Sequence, residues 1–273
     1  MDSIWELCER LEIPGEIAEQ VVQFDNRFDY GSIDIPMKKL FAEETWEEGR
    51  AEIKGVLGED PKGIGILACM LKCALQTYDD YRKLGINEQI YLDTMKCFPR
   101  FIKEHKVSYG IYGFDRDFWT ARQIAGKLLR IGELEYEMRN VEGQRFISIH
   151  IPSDTKLKKE LLARSYDEAR LLIARVFPEY EKADMKCESW LLAPALQRLL
   201  PEGSNILEFQ KSFEIEKVEE DAKDVMEWVF QNPHLSLEEA PENTSLQRKM
   251  KQYLLQGGKV GIAFGKLLEP GFR

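Results

Sequence analysis

Apolar and polar positions change their period once along the chain. Up to about residue 110 the apolar residues recur every three to four positions, the spacing of one helix face. Ile4, Leu7, Cys8 and Leu11 form a first stripe. Pro14 opens a second through Ile17, Val21, Val22 and Phe24, and a third runs from Trp46 through Ile53 to Val56 before Gly58. Asp60-Pro61 fits an N-cap followed by proline at the first helical position, ahead of the most apolar segment, Ile64 to Tyr81. Asn87 starts another helix through Ile90, Met95, Phe98 and Ile102. This half predicts five or six helices in one bundle.

After Gly110 the pattern differs. Asp117 can cap a helix through Trp119, Ile124 and Leu128 that ends at Gly132. Glu133 to Met138 and Phe146 to Ile151 alternate strictly around the turn cluster Asn140–Gly143, which predicts a β-hairpin. A polar loop at 152–155 leads into a helix from about Lys158 to Phe177. The order then reads strand 186–192, short helix 194–200, strand 206–215, helices 221–231 and 244–256, and strand 260–267. Every strand is expected after residue 130. The fold class is α+β: a helical domain over 1–112, then a mixed sheet flanked by helices over 113–273.

Composition narrows the function classes. The 273 residues are 44% hydrophobic, 32% charged and 11% aromatic, which suits globular domains rather than a disordered chain. Net charge is -10, from 38 basic and 48 acidic side chains, with no basic run to offset it. Such a chain repels phosphate backbones and anionic membranes, so neither nucleic acid nor membrane is expected as a partner. No apolar run reaches the roughly 18 residues that would span a bilayer. Cys8, Cys69, Cys73, Cys97 and Cys187 lack framework spacing, and with three histidines and no Cys-x-x-Cys pair no metal site is expected. The chain reads as reduced and cytoplasmic.

Few motifs carry chemistry. Gly63-Ile-Gly65-Ile-Leu-Ala68 fits a dinucleotide fingerprint in letters, but a loop precedes it where a strand is required, so it reads as close helix packing. Ile151 to Lys158 is a strand end, a polar loop and a helix start. Free N–H groups and the helix dipole there suit a pyrophosphate, with Ser153, Asp154, Thr155 and Lys156 in the loop; an ordinary capped helix start is the alternative. His150 ends its strand opposite Ile147, Ile149 and Ile151 and is a candidate general base. Glu133, Glu135 and Glu137 share a strand face that reads as solvated, and one of them could accept a proton from an amine. Cys187 and Ser189 share a face of the next strand and could line a cofactor channel, or only pack.

A series of phrases joins these residues. It includes Tyr109-Gly110-Ile-Tyr112-Gly113-Phe114-Asp115-Arg116, Phe118-Trp119-Thr120 and Arg130-Ile131-Gly132-Glu133-Leu134-Glu135-Tyr136. His150-Ile151-Pro152-Ser153, Ser189-Trp190-Leu191-Leu192 and Ser204-Asn205-Ile206 continue it. The chain resembles bacterial acyltransferases that join a helical N-acyltransferase N-terminal domain to a GNAT-like C-terminal domain. The resemblance implies an acyl-CoA-dependent N-acyltransferase that moves an acyl group, acetyl being expected, from CoA to the amine of a small molecule or peptide. It implies CoA pyrophosphate on the loop 152–158 and pantetheine in a gap between strands 145–151 and 186–192. Ile151, Ser153, Asp154, Thr155, Lys156, Cys187 and Ser189 are then the cofactor-binding candidates. His150 is the candidate base, with Glu135 second. Most GNAT enzymes carry Arg/Gln-x-x-Gly-x-Gly/Ala in that loop, where this chain has Pro152-Ser153-Asp154-Thr155-Lys156-Leu157. The departure leaves a second reading, a non-catalytic CoA- or metabolite-binding module whose helical half binds a protein partner.

Overall fold

A computed structural model describes residues 1, 3–221, 224–232 and 235–268. The chain divides into two compact units, Met1–Ile131 and Gly132–Arg273.

The first unit runs α1 (Ile4–Arg10), α2 (Gly15–Asp25), α3 (Asp34–Lys39), α4 (Trp46–Leu57), α5 (Ile64–Lys83), α6 (Glu88–Met95), α7 (Cys97–Tyr109), α8 (Asp117–Ile124) and a short strand β1 (Leu128–Ile131). No described residue before 110 is in a strand. The helix boundaries follow local signals. Ser3 accepts the N–H of Glu6 and Asn87 that of Ile90, each satisfying an otherwise orphaned donor. Glycines end α4 and α7, at Gly58 and Gly110. The centre of this unit is α5, whose residues Ile66 to Leu71, Cys73, Ala74, Thr77 and Tyr81 are buried. Burial pushes the Cys69 thiol up to about 12, so this cysteine is packing rather than a nucleophile.

Two expectations are corrected here. Helix α5 starts at Ile64, not at Pro61, because Asp60-Pro61-Lys62-Gly63 closes a turn and Gly63 is left-handed, φ +66°. Asp60 still acts as a cap at a distance, its Oδ2 accepting the N–H of Ile66 at 2.9 Å. A side chain at Gly63 would meet the carbonyl oxygen of Phe114 at 1.8 Å, so the glycine pattern serves close packing. The helix from Asp117 does not reach Gly132. Gly126 at φ +65° stops it, the N–H of Lys127 returns to the carbonyl of Arg122, and Leu128–Ile131 becomes a strand two residues before the expected limit. Its Arg130 N–H donates to Thr94 Oγ1 at 2.9 Å.

Asp117 is not a cap either. Its carboxylate is buried and takes Arg50 Nε and Lys54 Nζ, each at 2.9 Å, which ties α8 to α4.

The second unit runs β2 (Leu134–Val141), β3 (Gln144–His150), α9 (Lys159–Val176), β4 (Asp184–Ser189), α10 (Leu196–Leu199), α11 (Asn205–Gln210), β5 (Phe213–Glu219), α12 (Asp224–Trp228), α13 (Ser245–Leu255) and β6 (Ile262–Leu267). Its strands lie in the order β2-β3-β4-β6-β5, with β3 and β4 parallel and the other neighbours antiparallel. The β2–β3 hairpin turns on Glu142 and Gly143, both at positive φ, the backbone a tight two-residue hairpin loop requires. Tyr136, Met138, Ile147, Ile149 and Cys187 line one face of the sheet, and Tyr136 donates to or accepts from Ser165 of α9 at 2.8 Å. The expected strand 206–215 begins as helix α11, because the Ser204 hydroxyl caps Leu207. Strand β4 stops at Ser189, whose hydroxyl takes the N–H of Leu191 and opens a 3-10 turn. Residues 222 and 223 of the expected helix 221–231 lie outside the described residues.

The Asp117 pairing gives a prediction for this fold. Without Asp117, Arg50 keeps Glu47 and Lys54 is half-exposed, so neither cation is left buried and unpaired, and the loss is that of charge-assisted hydrogen bonds, about 1.5–3 kcal/mol. Asp117→Ala should lower unfolding stability by that amount in chemical denaturation. A loss below ~1 kcal/mol would show that these bonds do not hold α8 to α4.

Candidate functional site

The site forms where two strands stop pairing. β3 and β4 run parallel through Phe146/Asp184, Ile147/Met185, Ser148/Lys186 and Ile149/Cys187. Beyond that rung β4 stays bound to β6, through Glu188/Phe264 and Ser189/Ala263, while β3 ends at His150. The two strands part at His150 and Glu188, which project from the same face of the sheet.

His150 is opposite Glu135 in the hairpin register, and Glu137 is opposite Ser148. All four project on the face away from α9. His150 Nε2 meets Glu137 Oε2 at 2.9 Å, and Arg139 Nη1 donates to Glu137 Oε1 at 3.1 Å. The expected solvated face is corrected: Glu135 and Glu137 are each only 2% exposed. Sequence reasoning named His150 and passed over Glu137 as its partner, although alternation from Glu133 and from Phe146 already puts both on one face. A buried carboxylate fixed by Arg139 orients the imidazole. With the proton on the nitrogen facing Glu137, the other ring nitrogen carries the lone pair that a general base uses.

Glu188 adds charge across the opening. Burial, then Asp224 and Glu219, push its carboxyl above the ordinary glutamate range, while His150 pulls the other way. Cys187 is buried on the α9 face, and burial raises its thiol far out of the reactive range. The Ser189 hydroxyl already caps the turn that follows β4.

The loop after β3 is tied to the start of β2. Thr155 Oγ1 donates to the carbonyl of Glu133 at 2.8 Å, and the Lys156 N–H donates to Glu133 Oε2 at 2.7 Å. Thr155 N–H closes a turn onto Pro152. The backbone amides of Thr155 and Lys156 are therefore engaged within the protein, and that of Lys156 holds an anion, the Glu133 carboxylate. Helix α9 starts at Lys159, and its N-cap, Lys158, offers no side-chain hydrogen bond to the first turn. The loop thus brings Ser153, Asp154, Thr155 and Lys156 to the N-terminus of an 18-residue helix. Among the described residues no His, Cys, Asp and Glu group has metal-ligand spacing, and no helix is long and apolar enough to cross a membrane.

A helical unit, a mixed sheet whose central parallel pair opens, and a loop-to-helix start beside that opening define the acyltransferase class. Residues 128–267 match the GNAT-like C-terminal domain and residues 2–126 the N-acyltransferase N-terminal domain. The chain belongs to this family of two-domain acyltransferases. Three solved structures are similar to it. An acyltransferase in complex with decanoyl-CoA and teicoplanin is 22% identical, with TM-score 0.81 over 96% of this chain and 87% of that one. An acyltransferase in complex with CoA and 10C-teicoplanin is 21% identical, with TM-score 0.82 over 99% and 88%. An acyltransferase mutant in complex with octanoyl-CoA is 21% identical, with TM-score 0.81 over 97% and 87%. At such identities the likeness establishes the fold. No curated protein matches the chain.

The Glu133 contact is testable without any substrate. A hydrogen bond to a charged acceptor is worth about 1.5–3 kcal/mol. Glu133→Ala should therefore speed hydrogen exchange at the Lys156 amide about tenfold or more, and Glu133→Gln, which keeps an acceptor oxygen, should restore most of the protection. Equal exchange in all three proteins would mean that the carboxylate does not hold the loop.

Proposed function

We propose that this chain transfers an acyl group from an acyl-CoA to a primary amine, with His150 as the general base. The pairing of His150 with buried Glu137 at the point where β3 and β4 part carries the reading. An amine must lose a proton to acylate, and a positioned imidazole can take it. The amine nitrogen attacks the thioester carbon, a C–N bond forms and the C–S bond breaks. His150 receives the amine proton, Glu137 balances the imidazolium charge, and the CoA thiolate is protonated by solvent. N–H groups of β4 no longer matched by β3 are suited to the tetrahedral oxyanion.

Glu135, the second candidate, faces His150 across the hairpin and is assigned the supporting place. Ile151, Ser153, Asp154, Thr155 and Lys156 would meet the CoA phosphates, and Cys187 would line the gap taken by pantetheine. The donor's acyl group is the finer point. Acetyl is the simplest donor, but the octanoyl- and decanoyl-CoA in the similar structures support a medium chain, and we adopt that. The teicoplanin complexes support an amine on a small molecule of some bulk as the acceptor.

Thiol release from decanoyl-CoA in the presence of mixed amines tests this. Acyl-CoA binding with no thiol released would instead support a non-catalytic module. Octanoyl- and decanoyl-CoA should exceed acetyl-CoA in kcat/KM, and the reverse order would return the donor to acetyl.

His150→Ala should lower kcat/KM by about 10²-fold or more, the usual scale for a positioned base. Glu137→Gln keeps the shape but not the charge and should lower kcat with KM nearly unchanged. Turnover per folded molecule close to wild type in His150→Ala would remove the imidazole from the mechanism.

A further inference from the structure

Helix α9 packs on the sheet face that carries Tyr136, Ile149 and Cys187. Its Ser165 hydroxyl is satisfied by Tyr136. The next residue, Tyr166, is not: its phenolic hydroxyl is buried and has no hydrogen-bond partner among the described residues. Leaving a buried hydroxyl unpaired costs about 1–3 kcal/mol, so native structures rarely keep one without a reason. The groups that interact electrostatically with Tyr166 are Tyr136 and Cys187. The Tyr136 hydroxyl is already committed to Ser165, and Cys187 offers a weakly bonding thiol. A bridging water needs about two to four polar partners, which this apolar face does not supply.

The location matters as much as the missing partner. Tyr136 pairs with Ile149, and Ile149 with Cys187 in the last paired rung of β3 and β4, so the Tyr136–Ser165 hydrogen bond docks α9 on that rung, one residue before Tyr166. Tyr166 is also seven residues into α9, about 10 Å along the axis from the helix start at 1.5 Å per residue. A ligand with its phosphates at the start of α9 and its arm in the strand gap would run from that end of the helix toward the rung beside Tyr166. A pantetheine arm carries two amides, and each presents a carbonyl that can accept from a phenol.

We infer that the Tyr166 hydroxyl is a binding group for the pantetheine arm of acyl-CoA, donating to one of its amide carbonyls. This rests on the acyl-CoA reading above. The orphaned donor is then the pre-formed half of a hydrogen bond that the ligand completes. Tyr166 acts on the arm and not on the nucleotide, and it takes no part in moving the amine proton.

The test is Tyr166→Phe, which removes one oxygen and keeps the ring. Ligand-free protein should melt at the same temperature as wild type or higher, since an unpaired buried hydroxyl has gone. Its Kd for CoA should rise about 3- to 10-fold, the equivalent of one ordinary hydrogen bond. Its Kd for adenosine 3′,5′-bisphosphate, which lacks the arm, should not change. An unchanged Kd for CoA overturns the inference, and so does an equal weakening of both ligands. A wild-type protein that binds neither ligand fails the acyl-CoA reading itself, and the wild-type titration alone reveals that.

Discussion

The end of the β3–β4 ladder at Ile149 and Cys187 is the constraint on which the site depends. Parallel strands share evenly spaced hydrogen bonds, so a strand that loses its neighbour exposes a row of donors and acceptors. Here β4 keeps one edge satisfied by β6 out to Ser189 and leaves the other open. A gap within a sheet costs unpaired backbone groups unless something polar fills it. The opening is therefore a place built to receive hydrogen bonds, and everything of chemical interest in this unit collects around it. His150 and Glu188 flank it on one face, and on the other Ser165, the neighbour of Tyr166, docks on its last rung.

The two faces do different work. On the face away from α9 the residues are charged. Glu137 is fixed from both oxygens, by His150 and by Arg139, and Glu188 stands across the opening. On the α9 face, around the last paired rung, Ile149 and Cys187 stand beside the hydroxyls of Tyr136 and Ser165, with Tyr166 next along α9. A charged face suits proton transfer and an amine, and an apolar face with isolated donors suits a neutral arm. A ligand threaded through the gap would present its thioester to the charged side while its amides stayed on the quieter one. The division follows from alternation along β2, β3 and β4.

Much of this was legible in the chain. The switch from period 3.6 to period two placed the helices, the hairpin and the long helix after it, because amphipathic patterns of that length leave little choice of face. Boundaries set by one residue were harder. Gly126 stops a helix whose apolar spacing continues to Leu128, and Ser204 starts one inside a run that reads as a strand. The site was half legible. His150 stood out by residue type and alternation puts Glu137 on its face, but which glutamate it meets depends on the pairing register, which sequence alone does not supply. Glu133 reads as one acid among three until the loop is folded back onto it. Tyr166 gives no signal at all in the sequence, since what distinguishes it is a partner it does not have.

On the acyl-CoA reading, the loop at 152–158 would hold phosphates without the glycine pattern of most GNAT enzymes. The common glycine pattern lets backbone amides crowd round a phosphate. Pro152-Ser153-Asp154-Thr155-Lys156-Leu157 has no glycine, and its chain is instead braced from outside, Thr155 and Lys156 being tied to Glu133. A loop braced by side chains needs less backbone freedom than one that bends on glycine. The bracing also places the Glu133 carboxylate on the Lys156 amide, so phosphates would be met by other donors: the first turn of α9, to which the N-cap Lys158 gives no side-chain hydrogen bond, and the side chains of Lys156 and Lys158. Affinity would then rest more on lysine charge and less on a backbone cradle, and it would fall with salt as surface charge pairs do. An arm held by a neutral donor such as Tyr166 is indifferent to salt. The two contacts together would let the protein lose part of its phosphate grip and still keep the thioester in register with His150.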